Sequence, residues 1–116
     1  MSFDLDTSNP HFAKAVRLRE IFARDAAERD RAGGKPLEQL ALLKESGLLN
    51  LLIPTEFGGA GERWSTALKI AREFAKVDGA LGHLYGYHFG SQHAAHLRGT
   101  AEQAAEIGRA SCRERV

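Results

Sequence analysis

Apolar residues recur at helical spacing in separate stretches of this chain, and glycine or proline divides each stretch from the next. The first stretch begins at Pro10, directly after Asn9, and ends before Gly33 and Gly34. Asparagine is a preferred N-cap and proline a preferred first helical residue, so a helix is expected to begin here. The apolar residues stand mostly three or four positions apart, which predicts one amphipathic helix of about five turns up to the two glycines.

The same signals predict further helices and one connector. Thr100 and Gln103 have the spacing of a capping box, so a helix is expected to begin after Thr100. The run LLNLLIP, residues 48–54, lacks helical period and is expected to be a buried extended connector. The glycines that follow it permit a sharp turn or a close approach. The remaining predicted segments are a second helix from Pro36 to Gly47, a third from about Ser65 to Val77 with Ala67, Leu68, Ala71, Phe74 and Ala75 on its inner face, and a fourth from Gly79 to about Leu97. Together they predict an all-α domain of about four to five helices.

Composition excludes several classes of partner. Hydrophobic residues make up 43% of the chain and charged residues 27%, as in ordinary globular proteins. The formal net charge is +1 and no basic cluster stands free of acidic residues, which argues against nucleic acid. No apolar run approaches the ~18 residues of a membrane span, and the N-terminus lacks the features of an export signal. We therefore expect a cytoplasmic protein that binds neither nucleic acid nor membrane.

The C-terminal string EIGRASCRERV, residues 106–116, does not continue the pattern that precedes it. It resembles the translation of a common sequencing adapter, in the reading frame where the adapter reaches a stop codon directly after the valine. We therefore expect residues 106–116 to be a non-native, adapter-derived tail and residues 1–105 to be the native part of an incomplete protein. Cys112, the single cysteine, lies in this tail and is assigned no function.

The segment GALGHLYGYHFGSQHAAHLRG, residues 79–99, holds four of the five histidines, both tyrosines and no acidic residue. On a helix, His83, Tyr87 and Gly90 fall within about 60° of one another. Gly79, Gly82 and Gly86 follow the neighbouring stripe. The interior glycines together cost about 3 kcal/mol of helix propensity relative to alanine. Either a helix packed at close range or a flat ligand against the bare face is expected to offset that cost.

Spacing alone leaves the roles of the histidines open. His83 is compatible with a packed helix histidine bonded to a carbonyl, and equally with a proton donor paired with Tyr87. His93 and His96 stand one turn apart, but residues 79–101 contain no carboxylate and offer no third ligand, so no metal site is predicted. We expect His88, His93 and His96 to be partly exposed or hydrogen-bonded.

Several motifs resemble one enzyme superfamily. LLIPTEFGGAG, residues 51–61, resembles the end of the second helical hairpin in acyl-CoA dehydrogenases. ERDRAGG at 28–34, SGLLNLLIP at 46–54 and above all DGALGHLYGYH at 78–88 resemble the dibenzothiophene monooxygenase branch of that superfamily. The resemblance covers nearly all of residues 15–105 with its spacing preserved. It implies a truncated N-terminal helical domain, which complete members continue with a central β domain and a C-terminal helical bundle.

The resemblance also implies a chemistry and a set of partners. Members of the branch are homotetramers that take a reduced flavin, FMN or FAD, from a separate flavin reductase. The reduced flavin reacts with oxygen to a hydroperoxide, which oxidises the sulfur of a small, flat aromatic substrate. Most flavin contacts lie in the missing domains, so no cofactor-binding residue is named. The fragment alone is expected to bind no cofactor and to be inactive.

By position, the branch's site residues correspond to His83 and Tyr87. The resemblance makes both catalytic and substrate-binding, with Gly90 giving space to a planar substrate. An uncharged donor ring in a dry pocket suits a hydroperoxide, whereas a carboxylate would repel the developing oxyanion. Tyr85 stands where phenylalanine is expected, and His93 and His96 have no counterpart, which leaves the substrate open.

Two alternatives remain from the sequence. One is an FAD-dependent acyl-CoA dehydrogenase, whose deciding glutamate would lie beyond Ala105. The other is a non-catalytic helical interaction module whose glycine stripe docks a partner helix.

Overall fold

A computed structural model describes residues 5–113, and all regular structure in that range is helical. The six α-helices are α1 Pro10–Ala23, α2 Ala26–Ala32, α3 Leu37–Ser46, α4 Trp64–Ala75, α5 Gly79–Arg98 and α6 Ala101–Arg113. Two single-turn 3-10 helices, Leu48–Asn50 and Thr55–Phe57, lie between α3 and α4. The all-α prediction is confirmed.

The core forms where α4 packs between α1 and α5. Four aromatic rings make a continuous series of edge-to-face contacts through it, from Phe22 of α1 to Phe74 of α4 and on to Tyr85 and Phe89 of α5. Successive ring centroids are 5.3, 5.1 and 4.8 Å apart, within the favourable range for such pairs. This series fixes α5, the predicted site helix, against the rest of the domain.

The prediction of one continuous first helix is wrong. Asn9 caps α1 as expected, accepting from the His11 amide at 2.9 Å, but α1 ends at Ala23 and α2 begins after Asp25. In a continuous helix the Phe22 carbonyl would accept from the amide of Ala26. Here it accepts from Arg29 Nη2 at 2.8 Å. The guanidinium therefore takes the carbonyl that helix continuation requires, and the chain bends.

The connector at residues 48–54 is buried as predicted but is not extended. It begins with the 3-10 turn Leu48–Asn50, and Leu51 has helical dihedral angles. α3 ends as predicted at Gly47, whose φ of 81° is left-handed. A close approach follows at Gly59, where an added Cβ would lie 2.1 Å from the Ile53 carbonyl oxygen. A side chain there would clash with backbone, so glycine is required.

The inner face predicted for α4 is partly wrong. Ala67 and Phe74 are buried, but Leu68 is 58% exposed and Ala75 is exposed. Ile70 and Glu73 take the inner positions instead. Glu73 is fully buried and paired with Arg19 of α1 and, at 3.0 Å, with Lys76. Because this carboxylate finds two cationic partners on the inside, hydrophobicity alone mispredicts which face turns inward.

The N-termini of α5 and α6 are both capped by side chains. Asp78 Oδ1 accepts from the Leu81 amide at 3.2 Å at the start of α5. The capping box predicted for α6 is confirmed, since the Gln103 amide donates to Thr100 Oγ1 and the Thr100 amide donates to Gln103 Oε1. α6 runs on to Arg113, and the tail residues 114–116 lie outside the described range. Within the described range, no helix combines the length and apolarity needed to cross a membrane.

Candidate functional site

The predicted site residues lie together on the outer face of α5. The rings of His83 and Tyr87 stack, with centroids 4.4 Å apart and planes inclined by 15°. Both side chains are exposed, Tyr87 to 69%, and Gly90 is exposed one turn further along. The periodicity therefore placed these three residues on one face correctly, and the face is open to solvent in this chain.

The glycines of α5 lie in two different kinds of surroundings. An added Cβ at Gly82 would lie 2.7 Å from the Ala75 Cβ, because α4 crosses α5 closely at this point. Around Gly86 and Gly90 the space is open, with nothing within 4 Å of an added Cβ. The helix-packing explanation therefore applies at Gly82, whereas Gly86 and Gly90 leave a bare ledge beside Tyr87.

The opposite face of α5 is anchored by hydrogen bonds to the 3-10 turn. The buried Tyr85 hydroxyl donates to the Leu48 carbonyl at 2.9 Å. His88 Nε2 lies 2.7 Å from the Leu49 carbonyl oxygen, and Gln92 Nε2 donates to the same oxygen at 3.2 Å. Burial raises the pKa of the Tyr85 phenol above its ordinary value. Tyr85 thus lies away from the His83 face, and its departure from the family pattern has a structural rather than a substrate-facing explanation.

A shallow groove of about 520 Å³ runs beside Tyr87 between α5 and α6. Its α5 wall consists of Leu84, Tyr87, His88, Ser91 and Gln92, and its α6 wall of Ile107 and Ser111. The lining carries uncharged donors and apolar atoms and no carboxylate, so it suits an uncharged, partly apolar molecule. The α6 wall belongs to the string predicted to be non-native.

The remaining histidines of α5 form a ring cluster rather than a metal centre. His93 packs edge-on against Trp64 at 5.6 Å and stacks on His96 at 5.1 Å. Burial, and after it the charge of His96, lowers the pKa of His93 below its ordinary value. No group of three or more metal-ligating side chains occurs among residues 5–113.

An ion pair that the sequence analysis missed holds the start of α5. Arg29 Nη1 donates to Asp78 Oδ2 at 2.6 Å, and Arg29 Nε donates to Asp25 Oδ1 at 3.0 Å. Burial opposes the charge on Arg29, but the hydrogen bonds from Asp78 and Asp25 outweigh it and raise the pKa of Arg29. The only signal in the sequence is that Arg29 and Asp78 each belong to a recognised motif. Their 49-residue separation hides the contact.

Residues 12–114 match the model of the acyl-CoA dehydrogenase N-terminal domain. The chain belongs to this family. This acyl-CoA dehydrogenase N-terminal domain is 46% identical over 99 residues to a dibenzothiophene monooxygenase of Rhodococcus erythropolis, which covers 85% of the chain and 24% of the relative. It is 44% identical over 79 residues to a probable FMNH2-dependent monooxygenase, SfnC, of Pseudomonas putida. This match covers 68% of the chain and 20% of the relative.

Solved structures agree with this family assignment. The domain superposes on dibenzothiophene monooxygenase TdsC from Paenibacillus sp. A11-2 with a TM-score of 0.89 and 39% identity, over 92% of this chain and 28% of that one. It superposes on methanesulfinate monooxygenase MsuC from Pseudomonas fluorescens with a TM-score of 0.85 and 40% identity, over 87% and 26%. The domain spans about a quarter of the length of the relatives it matches.

Proposed function

We propose that this domain is part of a reduced-flavin monooxygenase that oxidises the sulfur of a small, planar aromatic compound. One oxygen atom of O₂ is transferred to sulfur, and the other leaves as water with two protons and two electrons from the reduced flavin. A thioether, O₂ and reduced flavin thus become a sulfoxide, water and oxidised flavin. The proposal rests on the 46% identity of this chain to dibenzothiophene monooxygenase over 99 residues.

The outer face of α5 fits the substrate side of such a site. His83 and Tyr87 supply an imidazole and a phenol that donate hydrogen bonds without a fixed negative charge. The ledge at Gly86 and Gly90 gives a flat ring room to lie against backbone. When the missing domains cover this face, water is excluded and each donor acts more strongly on a developing oxyanion. His83 and Tyr87 are therefore the residues we assign to catalysis and substrate binding, with Gly90 in substrate binding.

The cofactor we propose is reduced FMN, which supplies the electrons for oxygen activation. FMN is preferred over FAD because relatives of this chain are described as FMNH2-dependent or as FMN complexes. The donors on α5 suit the substrate side, and we assign the flavin's own contacts to the rest of the complete protein. We further propose a separate flavin reductase as partner, a homotetramer and a cytoplasmic location, with neither nucleic acid nor membrane as partner.

The test uses the complete protein with photoreduced FMN and dibenzothiophene, with oxidised product measured by chromatography. We expect oxygen-dependent sulfoxide formation that falls at least about tenfold in His83→Phe and Tyr87→Phe, since each removes a donor to the reacting centre. Leu37→Ala, on the surface of α3, serves as a control with parental activity. Anaerobic reduction of bound FAD by an acyl-CoA would instead identify a dehydrogenase. Absence of flavin binding would favour the non-catalytic helical interaction module.

A further inference from the structure

The residue pattern of α5 does not by itself determine which face turns inward. Apolar or aromatic side chains stand on both sides, and Leu84 and Tyr87 are exposed whereas Gln92 is buried. Gly86 and Gly90 have nothing within 4 Å of an added Cβ, so no neighbouring helix interlocks with α5 at these two positions. The edge-to-face contact of Tyr85 with Phe74 holds α5 against α4, and a second set of contacts further limits the rotation of α5 about its own axis.

Hydrogen bonds from one face of α5 make up this second set. Tyr85, His88 and Gln92 all bind the carbonyls of Leu48 and Leu49, two successive residues of one 3-10 turn. These three side chains, called the anchor here, are two to nine residues after His83. At 3.6 residues per turn they lie about 140° to 200° around the helix from it. Fixing the anchor therefore directs His83 and Tyr87 outward.

We propose that His88 and Gln92 are positioning residues, which orient the His83–Tyr87 pair by donating together to the Leu49 carbonyl. This rests on the function proposed above and adds residues that do not touch the reacting atoms. A carbonyl oxygen only accepts, so His88 Nε2 carries the proton and neutral His88 is held in one tautomer. Tyr85 completes the anchor on the neighbouring carbonyl.

The shared acceptor makes a specific prediction for paired substitutions. When two donors bind one oxygen, removal of either donor leaves the oxygen with a partner. Removal of both donors leaves a half-buried carbonyl without a hydrogen bond. The increases in hydrogen exchange caused by His88→Leu and Gln92→Leu should therefore be non-additive. The increase in the double variant should exceed the sum of the increases in the two single variants. His88→Gln keeps an N–H donor on a flexible side chain and should restore much of the parental behaviour.

The first experiment is hydrogen exchange by mass spectrometry on the complete protein and its variants, which requires no activity. In the double variant we expect exchange of peptides from residues 46–54 and 79–98 to rise about tenfold, and exchange of the α1 peptide to stay parental. His96→Leu, on the exposed side of α5, is the control. An equal rise in α1 would indicate general destabilisation and overturn the proposal, as would additive effects or failure of His88→Gln to rescue.

The second experiment measures sulfoxide formed per O₂ consumed. In the His88→Leu, Gln92→Leu double variant we expect this ratio to fall about threefold with a raised KM for substrate, because a rotated α5 misdirects its donors while leaving oxygen consumption intact. Replacing His88→Leu by His88→Gln in that double variant should restore the ratio. A parental ratio in the double variant would overturn positioning, whereas an inactive parent would count against the proposed function and leave the exchange result to decide the anchor.

Discussion

Gly82 and Gly90 are two turns apart on α5 and should respond oppositely to alanine. At Gly82 the added methyl would meet Ala75 side-chain and backbone atoms at 2.7–3.0 Å, so α4 and α5 must move apart. We expect a loss of about 1–3 kcal/mol in the free energy of unfolding. At Gly90 the methyl meets nothing within 4 Å and should gain up to about 1 kcal/mol from helix propensity. Urea unfolding followed by circular dichroism measures both, and equal stabilities would contradict the close approach.

The two tyrosines of α5 give a second matched pair of substitutions. Tyr85→Phe removes the donor to the buried Leu48 carbonyl and should cost about 1–2 kcal/mol of unfolding free energy. Tyr87→Phe, on the exposed face, should leave stability unchanged. The unfolding midpoints of the two variants check this. A Tyr85→Phe protein as stable as Tyr87→Phe would mean that the Leu48 carbonyl finds another partner.

His93 should make stability depend on pH. Its folded pKa lies below the ordinary value of 6.5, so the unfolded chain binds the proton more readily. The contribution of His93 is therefore fully present above about pH 6.5 and is lost as the pH falls through the folded pKa. We expect the drop in melting temperature between pH 7.5 and pH 5 to be smaller in His93→Gln than in the parent. His96→Gln, which removes only the smaller charge contribution, should be intermediate, and a parental drop in His93→Gln would exclude this explanation.

Periodicity predicted the residue-level placement of His83, Tyr87 and Gly90, because a helix repeat fixes which residues share a face. It did not predict the anchor, since Tyr85 bonds to a carbonyl 37 residues away and Gln92 looks like a surface residue. Such contacts depend on how helices cross, and nothing local in the sequence encodes that.

At the scale of elements, Arg29 connects three helices. It joins the last turn of α1 through the Phe22 carbonyl, the start of α2 through Asp25 and the start of α5 through Asp78. Its three nitrogens bond to three different acceptors, a geometry that lysine cannot reproduce. The break between α1 and α2, which the apolar spacing did not predict, lies where Arg29 donates to the Phe22 carbonyl. The apolar spacing continues through residues 24 and 25 and carries no sign of this contact.

Arg29→Lys should therefore destabilise the domain although it keeps the charge. We expect a loss of about 1–2 kcal/mol, reduced from a fully buried pair because Arg29 keeps some solvent contact. Asp78→Asn, which retains an oxygen to cap the Leu81 amide, should lose about as much, and the double variant should lose less than the sum. Chemical unfolding of all three against the parent completes the cycle. Additive losses would show that Arg29 and Asp78 act independently.

At the scale of the whole molecule, we propose that residues 106–116 stand in place of native sequence. α6 continues through this string to Arg113 and the family match extends to residue 114, so helix formation alone does not decide its origin. The genomic reading frame past Ala105 tests the proposal directly. A different sequence continuing from Ala105 would support it, and EIGRASCRERV followed by a stop codon in genomic DNA would refute it.

The outer face of α5 should make the 116-residue chain associate with itself. Leu84 is 44% exposed and Tyr87 69%, on a face that the remaining three quarters of the relatives' length is proposed to cover. Adjacent apolar side chains left in water favour association. We expect light scattering to rise with concentration, and Leu84→Lys to suppress the rise because it places a charge in the patch. Leu37→Lys makes the same change on α3, where Leu37 is 66% exposed, and should leave association unchanged. A compact parental monomer at all concentrations, or equal effects of Leu84→Lys and Leu37→Lys, would show that the α5 face does not drive self-association. That result would count against the assignment of this face as the wall of a buried pocket.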